Sequence, residues 1–302
     1  MVNKRSSVTR VLAAADGRRL EVLSTGPEDG LVLLFHNGTP GGLVAPPDLA
    51  AAAAGRGLRT VMYARPGYGD SPARPGRRIV DAAADVAAVL DDLGARQFVT
   101  VGWSGGGPHA LACAALLPGR CLAAASLAGV APLRAGGLDW MAGMGPENVT
   151  EFTAAGQGEA ALTAFLEEAA AGLGQVTSQQ VAEEMGGLIS AADRAVVTEE
   201  FAEYLAGSFR VALRAGVAGW RDDDIAFVSD WGFPVEQAGA VPVAVWQGEE
   251  DRMVPFSHGA WLAGRIPGAR AHLARGEGHL TLVARSSGTV LDDLLDLAGH
   301  RR

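Results

Sequence analysis

The chain of 302 residues contains only two cysteines, Cys113 and Cys121. Each stands in an apolar segment with no histidine at metal-ligand spacing, so both read as inert core thiols rather than a disulfide or ligand pair. Positive charge is also scarce: 25 Lys and Arg stand against 34 Asp and Glu, a formal net charge of -9. Nucleic acid is therefore not expected as a partner, because phosphate binding needs basic patches. No apolar run approaches the roughly 18 to 20 uninterrupted residues of a membrane span. The longest, CLAAASLAGVAPL from Cys121, reads as a buried strand with its exit. The start, MVNKRSSVTR, is basic but leads into no apolar stretch long enough for a signal peptide. A cytoplasmic location and no membrane partner are the expectation.

What is present is a core. Hydrophobic residues make up 48% of the chain and charged residues 20%, the composition of a globular fold of one large or two ordinary domains. Strand-length apolar runs alternate with helix-length segments. GRRLEVLST, LVLLFH (31–36), LRTVMYA (58–64), QFVTVGW and CLAAASLAG read as strands. PPDLAAAAAGRG, IVDAAADVAAVLDDLG (79–94) and GGPHALACAALLPG read as helices between them. Strands apolar on both faces, each followed by a helix, indicate a mostly parallel sheet with helices on both faces. The alternation fails from about Leu133 to Gln237, where helices with acidic faces carry scattered large apolar residues. Between Ala135 and Ala240 there are 17 carboxylates and 4 arginines, a composition shift that suggests a domain boundary. The pattern resumes with VPVAVWQG (241–248), then HGAWLAGRI, ARAHLA and a last helix, TLVARSSGTVLDDLLDLAG. The expected organisation is an α/β core, 1–132 and 238–302, with a helical insertion at 133–237.

The stretch VGWSGGGPHALA (101–112) ends a strand on Gly102-Trp103-Ser104-Gly105-Gly106 and starts a helix directly afterwards. A serine hydroxyl is a poor nucleophile near neutral pH and needs a base, an orienting acid and donors for the developing oxyanion. A sharp strand-to-helix turn projects the hydroxyl at the sheet's carboxyl edge and brings the flanking backbones close, which only small residues permit. That is the physical content of G-x-S-x-G. In a chain with 41 glycines the pattern alone is weak, but its place after a buried strand and before a helix makes it specific. Ser104 is the expected nucleophile.

Five motifs, FHNGTPGG, YARPGYGDS, GWSGGGPHALA, WQGEEDRMVP and GEGHLTLV, follow one another along the chain, and together they resemble the α/β-hydrolase family, in its capped, lipase- and peptidase-like branch. FHNGTPGG resembles that family's oxyanion loop and YARPGYGDS its R-P/G-x-G-x-S turn. GWSGGGPHALA resembles the nucleophile elbow, WQGEEDRMVP the segment carrying the acid and GEGHLTLV the segment carrying the histidine. The resemblance implies an α/β-hydrolase fold, a helical cap over Ser104 and no metal or organic cofactor. It implies His279 as the base and Asp251 as the acid, with Glu250 as the rival in the same acidic loop. His36 is read as a buried side chain shaping the oxyanion loop, and His109 as near the site but poorly placed to take the serine proton. His258, His272 and His300 read as surface or helix-capping residues. The oxyanion donors implied are the backbone N–H groups of Gly105 and Thr39, with Gly38 as the alternative to Thr39 because Asn37 stands where the family has a second histidine. Trp103, Trp140, Met144 and Trp220 are candidate pocket residues for a small-molecule acyl substrate.

The activity the resemblance implies is hydrolysis of a carboxylic ester through a Ser-His-Asp triad and an acyl-enzyme. Prolyl aminopeptidases share this architecture and use cap acids to hold a substrate ammonium, a role open to Glu147 or Glu151. Their elbow usually reads G-G-S-W-G, unlike the one in this chain. Epoxide hydrolases and haloalkane dehalogenases use an aspartate nucleophile where Ser104 stands. Some members of this fold are non-enzymatic ligand receptors. A fluorophosphonate is expected to label the folded protein at Ser104; absence of labelling would favour the receptor reading.

Overall fold

Every residue of Val32–His36, Phe98–Trp103 and Val243–Gly248 is buried, as strands must be when helices cover both sheet faces. The computed structural model describes residues 7–14 and 16–300; the first six residues of the basic start lie outside it. The three segments belong to one eight-stranded sheet. In chain order its strands are β1 (Val8–Ala13), β2 (Arg19–Thr25), β3 (Val32–His36), β4 (Arg59–Tyr63), β5 (Phe98–Trp103), β6 (Cys121–Leu127), β7 (Val243–Gly248) and β8 (Arg270–Ala274). The spatial order is β1-β2-β4-β3-β5-β6-β7-β8. Strands β3 to β8 run parallel, whereas β2 is antiparallel to both β1 and β4.

Alternate residues of the strands feed two apolar layers. Leu34 packs with Val86, Val89 and Leu90 of α2 (Ala82–Asp92) and Leu111 of α3 (Gly107–Leu116), while Leu33 and Phe35 pack with Leu49 of α1 (Pro47–Gly55). Between β6 and β7 the chain forms α4 (Pro146–Gln157), α5 (Glu159–Leu173), the single turns α6 (Val181–Glu184) and α7 (Ala191–Arg194), then α8 (Glu199–Leu213) and α9 (Ala218–Val228). Beyond β7, α10 (Phe256–Arg265) joins the α2–α3 layer, and α12 (Ser287–Leu297), after the single turn α11 (Thr281–Ala284), joins α1.

Two elements differ from the sequence reading. β1 (VTRVLA) is not among the expected strands: it is an edge strand with five of six residues exposed, Val8 and Val11 among them, so its apolar residues outline no buried face. The last helix is two helices: Arg285 and Ser286 leave helical continuity, and the Ser287 hydroxyl donates to the Val283 carbonyl across the break.

The turn between β5 and α3 sets the tightest packing. A methyl group at Gly102 would overlap the Gly106 carbonyl, one at Gly106 the His36 carbonyl, and one at Gly107 would lie 2.7 Å from the Gly129 Cα. These neighbours are backbone and cannot rotate away. Gly106→Ala is expected to destabilise the fold by about 1–3 kcal/mol, the usual range for overpacking, read as a lowered midpoint in chemical denaturation.

Candidate active site

The chain leaves β3 towards β4 on one side, and β5 begins the sheet's growth on the other, so β3 and β5 are neighbours whose connections diverge. Such a switch point opens a crevice at the carboxyl ends of the strands. His36 and Gly102 are register partners, which puts the loop 37–42 level with Ser104. Asp251 follows β7 by three residues and His279 follows β8 by five, so all four segments meet at one edge.

Ser104 has φ +55°, a left-handed conformation that is uncommon outside glycine and clusters at functional sites. It shares a small cleft with Trp103, Gly38, Thr39 and His279. His279 is buried, and its Nδ1 lies 2.8 Å from Asp251 Oδ2. Asp251 is itself filled with donors: Oδ1 accepts from the Met253 and Val254 N–H groups at 2.9 and 2.8 Å, and Oδ2 from Gln247 Nε2 at 3.0 Å. A carboxylate so held accepts from Nδ1–H and leaves Nε2 as the basic nitrogen. Glu250, by contrast, is exposed. Burial disfavours the imidazolium, but the charge and hydrogen bond of Asp251 outweigh it and hold His279 above its ordinary value.

The His279 loop has a support the sequence did not disclose. Asp193, buried in α7, accepts from the Leu280 and Thr281 N–H groups through Oδ1 (2.7 and 3.3 Å). Its Oδ2 accepts from Ser190. A second such residue, Asp223 of α9, is fully buried beneath the 37–42 loop. It accepts from Thr39 Oγ1 at 2.7 Å, Tyr68 OH at 2.9 Å, Arg65 Nη2 at 2.5 Å and Arg77 Nη2 at 2.6 Å. Burial works against its charge, yet the two guanidiniums hold it well below the usual carboxylate range. Arg65 also donates to the Asn37 and Gly38 carbonyls at 2.8 and 3.0 Å. Each carbonyl shares a planar trans peptide with the next N–H, which points the opposite way, so the Gly38 and Thr39 N–H groups face away from Arg65. Asn37 braces the loop through its amide to the Gly42 carbonyl.

The other histidines separate by environment. His109 Nδ1 lies 2.8 Å from the Gly105 carbonyl; a carbonyl only accepts, so Nδ1 carries the proton. Burial, with Arg65 nearby, pushes His109 down to about 3. His36 is buried against Cys113 and Tyr63 and held well below its ordinary value by burial. His258 is fully buried rather than on the surface, because it accepts from the Ala131 N–H and donates to the Trp140 carbonyl where the insertion begins. His272 stacks on Trp246 beside Asp293, and His300 is exposed.

Over Ser104 and Gly105 lies a cavity of about 260 Å³ between the core and the insertion. Trp220 lines it, as do Thr39 and Phe227. Phe165, Ala169 and Leu173, spaced four apart on α5, line it too; that spacing is legible in the sequence but is equally the mark of a packing stripe. Trp103 lines only the smaller cleft. Trp140 and Met144 do not line the cavity, a correction to the sequence reading. The Trp140 indole donates to the Ala131 carbonyl and its ring packs edge-on against Phe152 at 4.6 Å, so its bulk is spent seating the insertion on the core. Four carboxylates, Glu147, Glu151, Glu184 and Asp224, border the cavity, and among the described residues no lysine or arginine does. Trp220 Nε1 donates to Glu151 Oε1 at 2.6 Å. Burial and the neighbouring Glu151 hold Asp224 well above the carboxylate range, and burial raises Glu151.

These features coincide with what known proteins display. A model of the alpha/beta hydrolase fold matches residues 32–285, and the chain belongs to that family. It is 36% identical over 122 residues to epoxide hydrolase B of Mycobacterium tuberculosis, a match spanning 38% of this chain and 34% of that one. It is 33% identical over 125 residues to a non-heme chloroperoxidase of Streptomyces lividans, spanning 40% and 45%. The chain thus covers less than half the length of either relative. In three dimensions it is similar to epoxide hydrolase A of Mycobacterium thermoresistibile, with a TM-score of 0.69, 20% identity, and coverage of 96% of this chain and 98% of that one. Among the described residues no helix is long and apolar enough to cross a membrane.

His279, which shares the cleft of Ser104, and His109, on the Gly105 carbonyl, should titrate far apart. In an NMR titration His279 is expected to protonate above the ordinary imidazole value of about 6.5, while His109 stays neutral until near pH 3.

Proposed function

We propose that the protein is a serine hydrolase of small-molecule carboxylic esters. Ser104 is the nucleophile, His279 the base, Asp251 the orienting acid, and the Gly105 and Thr39 N–H groups the oxyanion donors. The observation that carries this reading is the left-handed Ser104 sharing a cleft with a buried His279–Asp251 pair at the sheet's switch point. Ser104 Oγ attacks the acyl carbon as its proton passes to His279 Nε2, and the oxyanion settles between the two N–H groups. The leaving alkoxide departs as an alcohol with the proton of His279. Water then attacks the acyl-enzyme, giving up a proton to His279, and the acid leaves as Ser104 recovers its own. Of the two N–H groups that Arg65 turns outward, Thr39's is chosen because Thr39 borders the large cavity and Gly38 only the small cleft.

The insertion at 133–237 acts as the cap, and its cavity holds the acyl or alcohol part. At about 260 Å³ it is smaller than the roughly 300–1,000 Å³ of pockets for drug-sized ligands, which favours short acyl chains. The relatives named as epoxide hydrolases do not transfer their chemistry to position 104, where serine replaces the aspartate nucleophile of that group. A second reading, release of an N-terminal residue from a peptide, is favoured by the four carboxylates that border the cavity with no lysine or arginine among its described lining residues, a setting that suits an ammonium group. Ester hydrolysis is preferred because Glu151 already has the Trp220 donor and Asp224 is held towards its neutral form.

The test is a side-by-side measurement of initial rates on p-nitrophenyl butyrate and prolyl p-nitroanilide. The ester is expected to be the better substrate, with Ser104→Ala lowering its kcat by at least about 10³-fold. A Ser104-dependent preference for the anilide that Glu151→Gln abolishes would replace this reading with the second.

A further inference from the structure

We propose that Asp223 is a positioning residue through which the insertion, rather than the core alone, assembles the oxyanion pocket. The inference rests on the serine-hydrolase reading above. Two strands of geometry converge on it. The first runs through the 37–42 loop. Asp223 takes the Thr39 hydroxyl directly at 2.7 Å and clamps Arg65, whose Nη1 and Nη2 hold the Asn37 and Gly38 carbonyls. Those bonds fix which way the Thr39 N–H faces. Arg65 Nη2 also donates to Thr39 Oγ1 at 3.0 Å, so Thr39, Arg65 and Asp223 close a triangle with the donor residue at one corner.

The second runs through the elbow. Phe227 lies one helical turn beyond Asp223 on α9, on the same face. Its ring stands so close to Gly105 that a methyl there would be 2.8 Å from the ring edge. Phe227 also meets the His109 ring edge-on at 6.2 Å, and His109 in turn holds the Gly105 carbonyl at 2.8 Å. One face of one insertion helix therefore touches both donor residues. The fit is close in the backbone as well: a methyl at Gly67 would sit 2.7 Å from the Gly219 Cα, and Arg77 donates to the Gly219 carbonyl at 3.0 Å. Asp223 cannot be serving as a solvated surface acid, since its side chain is fully buried and its two carboxylate oxygens are occupied by Thr39, Tyr68, Arg65 and Arg77.

The experiment uses the full chain with p-nitrophenyl butyrate as substrate and butylboronic acid as inhibitor, whose tetrahedral adduct on a serine places an oxygen in the oxyanion pocket. Parent and Ser104→Ala are compared first. If hydrolysis does not depend on Ser104, the serine-hydrolase reading falls and this proposal with it. If it does, Asp223→Asn is expected to lower kcat at least tenfold with KM within about twofold, and to weaken boronate binding in the same proportion. Thr39→Val, which removes only the hydroxyl, should give the same signature, and Thr39→Ser, which keeps it, should restore most of the loss. Combining Thr39→Val with Asp223→Asn should cost less than the product of the single effects, as for residues that share one interaction. A structural role alone would lower the melting temperature and leave kcat and boronate affinity near the parent; that result, or a raised kcat, overturns the proposal. Should Asp223→Asn fail to fold, the Thr39 pair decides: equal kcat and boronate affinity in Thr39→Val and Thr39→Ser overturns it.

Discussion

A guanidinium with no path to water must find its counter-charge inside the protein, and in this fold Arg65 finds it on an element more than 150 residues away in sequence, Asp223 of α9. Removing either partner of such a buried pair leaves an uncompensated ion at a cost of roughly 3–5 kcal/mol. That constraint explains a set of otherwise unrelated details. The turn after β4 has Gly67 at φ +97° because α9 must come within backbone contact of it. Tyr68 and Arg77 point inward because a carboxylate shared by two cations still has lone pairs to fill. The 37–42 loop is held open towards Ser104 because its carbonyls are drawn to the other side by Arg65.

The parallel core was legible because most of its strands are apolar on both faces and each ends on a glycine or has one within four residues of its end, so period and punctuation agree. That Ser104, Asp251 and His279 would meet was legible for a related reason: each lies just past a strand end, where local sequence carries the geometry. β1 was not, since an exposed edge strand buries only Leu12, and its two valines follow no alternation that would mark a face. The pocket aromatics were only partly separable. Trp140 and Trp220 look alike in sequence, but one indole closes on the Ala131 carbonyl and the other on Glu151 within the cavity. Which occurs depends on how helices cross, and no single segment encodes that.

Asp193 and Asp223 were hidden by their neighbourhood. In a segment rich in carboxylates, solvated helix faces are the ordinary expectation, and RDDDI gives no sign that all three aspartates are buried. A signal did exist in that run: Trp220 and Phe227 flank it at helical spacing, so Asp223 and Asp224 fall on or beside an apolar face where an unpaired acid cannot stay charged. The two solve the problem differently. Asp223 acquires cations and remains ionised, whereas Asp224, next to Glu151, is driven towards its neutral form. Adjacent residues of one helix thereby give the cavity a polar but weakly charged wall and its underside a strong ion pair.

The position of that ion pair also divides mechanical labour within the insertion. Lifting the whole insertion would have to break the bonds of Asp223 and those of Asp193 on the His279 loop together, exposing several desolvated ions at once. Helices α4 and α5 are tied differently: they rest chiefly on other insertion helices, and α4 meets the core through Gly145 and Asn148, whose bonds go to the Arg252 and Met253 carbonyls. Their ties to α9 are the Trp220 indole on Glu151 of α4 and the Arg221 guanidinium on Glu159 of α5. The helices that hold the 37–42 and His279 loops, α9 and α7, are thus set apart from α4 and α5, which supply much of the wall of the cavity above Ser104.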